Sequence, residues 1–186
     1  MNHRAGWSAA VALALVLCQF AVIRTSAYGL EVRIIVPATM AAVPAALRPF
    51  RHRIGIWIMF AGMAANLAAI LANGGLMPIE HSTLVEAVGE KTAAQYETGH
   101  WVRGSKDVLV GTHSGRLVAL GDSIIIRAGS AGIVASPGDL VVWAGLAVLA
   151  AEVSISVQRG RRTALTVTRR DESAAPAAEG GAATRT

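Results

Sequence analysis

The chain has 186 residues, room for one domain of modest size, and 53% of them are hydrophobic while 16% are charged. A water-soluble domain carries about a quarter charged residues, so a mean hydropathy of +0.48 argues against one and for a membrane protein. The net charge of +5 and pI near 10.3 do not make a nucleic-acid binder, because the basic residues flank apolar runs and do not line an amphipathic face with interleaved aromatics.

The first apolar run, residues 5–23, has no charge, and only Ser8 and Gln19 are polar. At 1.5 Å per residue it covers roughly 28 Å, close to the ~30 Å hydrocarbon core. The rival reading is a signal peptide cleaved near Thr25-Ser26-Ala27; the spans that follow make a retained helix simpler. The single cysteine, Cys18, lies inside this run, so no intrachain disulfide forms and the redox compartment stays open. Leu17 in front of it excludes a lipoprotein processing site.

The second run, 27–47, is weaker. It holds Pro37 and Pro44, and reaches membrane length only by including Glu31 and Arg33, which are expected to snorkel to the interface. Membrane helices tolerate proline, so this is read as a kinked span. The third run, 54–72, carries Gly55, Met59, Gly62, Asn66, Ala69 and Asn73 along one seam. Small residues there let another helix approach, and an amide bonds across the contact, so the seam predicts the packing face. Asn73, Gly74 and Gly75 then stop the helix through left-handed backbone, and Met77-Pro78 leads the chain away.

Residues 74–137 form a long polar stretch. Thr83 and Glu86 fit a capping box for a short helix to about Tyr96. The β-prone pieces 108–110, 117–120 and 124–126 predict a small hairpin or segments lying on the membrane. The fourth run, 140–157, follows Ser136, Pro137, Gly138 and Asp139, a helix start with Ser at N-cap, Pro at N1 and an acid at N3. The basic tail, 158–186, is expected to be disordered. Its arginines are candidates for contact with anionic lipid, against the plainer reading that they only set topology.

Arginine placement orients the spans. Arg48, Arg51 and Arg53 sit between the second and third runs with no acid, and Arg4 and the tail arginines fall on the same side if there are four spans. The 74–137 stretch has five bases and six acids, a net of −1. Both termini are therefore expected in the cytoplasm and the long loop outside. Trp7, Trp57 and Trp143 near span ends fit aromatic belts.

With Asn73-Gly74-Gly75-Leu76-Met77-Pro78, then Leu120-Gly121-Asp122, then Ser136-Pro137-Gly138-Asp139, the sequence resembles an uncharacterised bacterial family of small polytopic membrane proteins, one of the domains of unknown function. The resemblance covers roughly 27–157, and Val118-Ala119 departs from the family's usual Pro-Phe ahead of Leu-Gly-Asp. It implies an architecture and no activity.

These readings give an all-α integral membrane protein with four transmembrane helices and one long extracytoplasmic loop between helices 3 and 4, in a bacterial cytoplasmic membrane. The functional expectation is a non-catalytic scaffold or interaction protein with an unidentified protein partner. The alternative is a small transporter or ligand-binding protein whose external mouth is formed by Asn73, Asp122 and Asp139, with Asn66 lining a path. Against the ligand reading, Asp139 caps a helix, Asp122 is a turn residue and Asn66 packs helices. Glu152, inside the last run, is read as paired at the interface with Arg159. His81, His100 and His113 have no metal spacing, Ser114 and Ser123 lie in no nucleophile motif, and no phosphate-binding glycine loop exists. No catalytic residue, metal, cofactor or nucleic-acid partner is expected.

Overall fold

The computed structural model describes residues 3–111, 115–128 and 131–174. Expectations at His113, Ser114 and 175–186 lie outside the described residues. In chain order come α1 (His3–Thr25), α2 (Leu30–Ala46), α3 (Ile54–Ala72), β1 (Met77–Glu80), α4 (His81–Val88), α5 (Glu90–Ala93), β2 (Asp107–Val110), β3 (Ile124–Ala128), β4 (Ala131–Ala135) and α6 (Pro137–Ala174). Three-residue 3₁₀ turns lie at Arg48–Phe50 and Val118–Leu120.

Among the described residues, three helices are long and apolar enough to cross a membrane: Gly6–Thr25, Ile54–Ala72 and Pro137–Arg159. The first and third of these show most of their side chains outward. Leu13, Leu17 and Phe20 of α1 and Leu146 of α6 are all more than half exposed. Apolar surface on this scale asks for lipid, since in water it is an interaction patch. α2 falls short of this set. It has 17 residues with Pro37 and Pro44 inside, about 25 Å of rise. Arg33 Nη1 donates to the Gly74 carbonyl at 3.1 Å. A guanidinium thus sits at the negative end of α3. Glu31 accepts from Ser26 Oγ at 2.6 Å within the α1–α2 turn.

The α3 seam is a packing face. Gly55, Gly62, Asn66 and Ala69 are buried. A methyl at Gly62 would stand 2.5 Å from the Gly138 carbonyl oxygen and 2.8 Å from Val142 N. One at Gly55 would stand 2.6 Å from the Gly145 carbonyl oxygen. Gly55 and Gly62 on α3 therefore meet Gly145 and Gly138 on α6 in reverse order, so the helices run antiparallel with backbones touching. The small residues make this approach possible, as in other membrane helix pairs.

α3 ends as its sequence directs. Gly74 (φ 71°) and Gly75 (φ 88°) are left-handed, and Gly75 N donates to the Ile70 carbonyl at 2.9 Å. That is the six-to-one bond of a Schellman cap.

The stretch after it is not a plain loop in an all-α protein. β1 and β2 pair in parallel, Met77 opposite Asp107 through Glu80 opposite Val110, and β3 and β4 form an antiparallel hairpin. Ile79, Leu84, Ala93, Val102 and Leu109 make a small core of their own. A second core joins Val32 and Val36 of α2, Ala69 and Ile70 of α3, and Leu76, Met77, Val108 and Val110. The segment is thereby anchored on the ends of α2 and α3.

Three local expectations are corrected. β1 runs straight into α4, so Glu80 is the N-cap and Thr83 is already inside the helix, and the Thr83–Glu86 capping box does not form. That helix stops at Gly89 (φ 83°) well before Tyr96, and α5 follows. Residues 117–120 make a 3₁₀ turn and no strand, entered through a left-handed Leu117 (φ 52°). Finally α6 does not stop at 157; it continues helically to Ala174. Arginine and alanine are good helix formers, and a formed helix elongates without repeating its nucleation cost. Residues 1–149 make one compact unit and 150–186 a second.

Candidate functional site

The residues singled out by the sequence gather in two polar clusters. The first links α3 to the start of α6. Ser136 is the N-cap: its Oγ accepts from Asp139 N at 3.0 Å, and Ser136 N donates to Asp139 Oδ2 at 3.0 Å. This reciprocal pair is a capping box with an acid at N3. Asn66, buried on α3, completes it. Its Nδ2 donates to Asp139 Oδ1 at 2.7 Å, and its Oδ1 accepts from Ser136 Oγ at 2.8 Å. Gly138 lies against Asn66 Oδ1 and against the Gly62 carbonyl, so glycine at N2 lets the cap touch α3. Asp139 is thus a capping residue and Asn66 a helix-packing residue.

Asn73 is spent in the same way. Its Nδ2 donates to the Ala69 carbonyl (2.7 Å) and the Arg116 carbonyl (2.6 Å), and its Oδ1 accepts from Arg116 N (3.0 Å). The amide clamps the later chain to the end of α3. This clamp leads into the turn that brings Gly121 and Asp122 to β1. Gly121 packs on Pro78, where a methyl would lie 2.9 Å from the ring. Asp122 N donates to the Pro78 carbonyl at 3.0 Å. Met77 N donates to the Lys106 carbonyl at 2.8 Å. The Met77-Pro78 and Gly121-Asp122 elements, over forty residues apart, are therefore neighbours.

The second cluster is ionic. Lys106 Nζ donates to both oxygens of Asp122, at 2.7 and 2.8 Å. Asp122 is 3% exposed and Asp107 6%. Ser105 Oγ accepts from Asp107 N at 3.0 Å. Asp107 Oδ1 is buried and, among the described residues, has no hydrogen-bond partner. Burial first, and the Asp107 charge second, push the Asp122 carboxyl up to about 7, against the pull of Lys106. Burial likewise raises Asp107, opposed by the Lys106 charge and by hydrogen bonds from Asp122 and Ser105. Lys106 is raised: burial opposes its charge, but Asp107, Asp122 and Asp139 together outweigh it. One cation facing two buried carboxyls balances charge when those carboxyls hold a proton between them.

Sequence reasoning found Asp122 and missed Lys106 and Asp107. The signal was an adjacent Lys-Asp pair directly before the apolar run 108–110, where charge enters a buried strand. Among the described residues no group of three or more His, Cys, Asp or Glu is arranged to hold a metal ion.

Apolar helices of membrane-crossing length, with an intervening segment folded back on the helix ends, define a mostly helical membrane protein. The chain belongs to a family of unknown function, DUF5317, whose model matches residues 1–151. No curated protein and no solved structure matches it.

Proposed function

We propose that this is a multi-pass protein of a bacterial cytoplasmic membrane and that it acts as a non-catalytic scaffold, with 74–137 as a folded external platform for a protein partner. In this reading α2 is a fourth, short span beside α1, α3 and α6, and both termini are cytoplasmic. One observation supports the scaffold over a transporter. The polar groups a mouth would need are already bonded to the protein itself: Asn66 to Ser136 and Asp139, Asn73 to Ala69 and Arg116, Asp122 to Lys106. The positive-inside pattern of Arg48, Arg51 and Arg53 supports the threading.

Single cysteines at Arg51, Glu90 and Leu165 in a Cys18→Ser background test it in intact cells. A membrane-impermeant maleimide should label position 90 alone. Labelling at 51 or 165 without 90 would overturn the orientation. For the scaffold itself, Asp122→Asn should change stability and partner capture while the reconstituted chain moves no solute. Solute flux that Asp122→Asn abolishes in a folded protein would replace the scaffold with a transporter.

A further inference from the structure

At the end of the helices opposite the folded segment, α1, α2 and the turn after α2 line an open, groove-like cavity of about 620 Å³, with Trp7, Ser8, Val11, Ala45, Ala46, Arg48, Pro49 and Arg51 on its walls. We propose that this cavity is a binding site for an anionic phospholipid, its headgroup phosphate held by Arg48 and Arg51 and its upper acyl region lying against Trp7 and Val11.

Three observations carry this. The first is order in the basic turn. Phe50 N donates to the Leu47 carbonyl, Arg51 N to the Arg48 carbonyl and Arg53 N to the Phe50 carbonyl, at 2.9 to 3.2 Å. Trp57 Nε1 donates to the Arg51 carbonyl at 2.8 Å, and Pro49 fixes its own φ. Both arginines thus project from a rigid backbone, which lowers the ordering cost of binding. The second is charge. Two of the eight lining residues are arginines and none is an acid. The third is the gradient of the wall, from the apolar Trp7, Val11 and Ala45 to the cationic Arg48 and Arg51. Trp7 is 71% exposed at the start of the Gly6–Thr25 span, where ring and phosphate depths coincide. Basic pockets between membrane helices take anionic headgroups, and arginine binds phosphate through paired donors. A soluble anion would have no use for the apolar wall.

The site rests on the helices being in lipid but not on which face is cytoplasmic. If labelling reverses the threading while the arginines still hold lipid, the orientation fails and the site stands.

The test uses the purified full chain in neutral detergent, with bound lipid counted by native mass spectrometry during titration with phosphatidylglycerol, phosphatidylcholine or inorganic phosphate. Wild type should retain phosphatidylglycerol over phosphatidylcholine. Arg48→Gln/Arg51→Gln should weaken phosphatidylglycerol by about thirtyfold, from roughly 1 kcal/mol per basic side chain. Because loss of arginines also disturbs membrane insertion, Ala45→Phe is the second variant. It fills the cavity with every charge in place and should weaken retention about tenfold at unchanged thermal stability. Arg161→Gln/Arg162→Gln in the tail should leave retention as in wild type. The site is overturned if both lipids are retained equally, if Ala45→Phe retains phosphatidylglycerol as wild type does, if the tail variant abolishes the preference, or if inorganic phosphate displaces the lipid at equal concentration.

Discussion

The seam between α3 and α6 and the ionic knot around Lys106 both bury polar groups, on opposite terms. At the seam, Asn66, Ser136 and Asp139 match donor to acceptor and occupy the space that four glycines open. In the knot, Lys106 faces two buried carboxyls and one carboxyl oxygen is left without a partner among the described residues. The seam is a packing device whose polar part adds a little. The knot is held by charge, and its balance depends on a proton. The difference teaches that similar-looking acids, Asp139 and Asp122, do different work because one sits at a helix start and the other in a loop bonded to β1 through the Pro78 carbonyl.

The largest effect should come from closing the seam's gap. Gly62→Leu forces side-chain atoms into the Gly138 backbone and should cost about 3 kcal/mol or more, read as loss of folded protein by thermal unfolding in detergent. Gly6→Ala, with nothing within 4 Å, is the control and should stay within about 0.5 kcal/mol. If both behave alike, the close helix contact is absent.

Next is the polar part of the seam. Asn66→Ala removes bonds to Asp139 and Ser136 while the capping box itself remains, so a loss of about 1–2 kcal/mol is expected. A loss above about 4 kcal/mol would mean that the amide, and not the glycine contact, holds these helices.

The smallest effect sharpens the knot. A buried carboxyl with a raised folded pKa keeps its proton in the folded chain where the unfolded chain has released it. Its stabilising contribution is therefore complete below about pH 4 and lost as pH rises through about 7, the value for Asp122. Asp107 acts in the same direction. The unfolding midpoint should fall between pH 5 and pH 8, and Asp122→Asn should flatten most of that slope. A midpoint rising over that range would show the carboxyls to be ionised and well paired.

What could be read from residues alone follows the range of the forces involved. The seam repeats every three or four residues along one helix, so Gly55 through Asn73 were visible as a face. The start of α6 and the stop of α3 are set within four residues, by Ser136 to Asp139 and by Gly74-Gly75. The seam's partner glycines on α6 were harder to see, because Gly138 and Gly145 gain meaning only opposite Gly62 and Gly55. The parallel pairing of β1 with β2 joins residues thirty apart across two short helices, and no local pattern encodes it. Lys106 and Asp107 became site residues only through that pairing. The bond from Arg33 to the Gly74 carbonyl spans forty-one residues, so no local pattern encodes it either.

The account depends most on Asp122 being bound to Lys106 as part of the fold, with no role as an open ligand. A double-mutant cycle with Lys106→Met and Asp122→Asn, on the full chain in lipid nanodiscs, measures this directly. Lys106→Met alone should cost about 3–5 kcal/mol, because it strands two buried carboxyls, and the two changes should couple by more than about 1 kcal/mol. Additive losses of about 0.5 kcal/mol or less for each would contradict it, and would return Asp122 to the status of a free acid facing solvent.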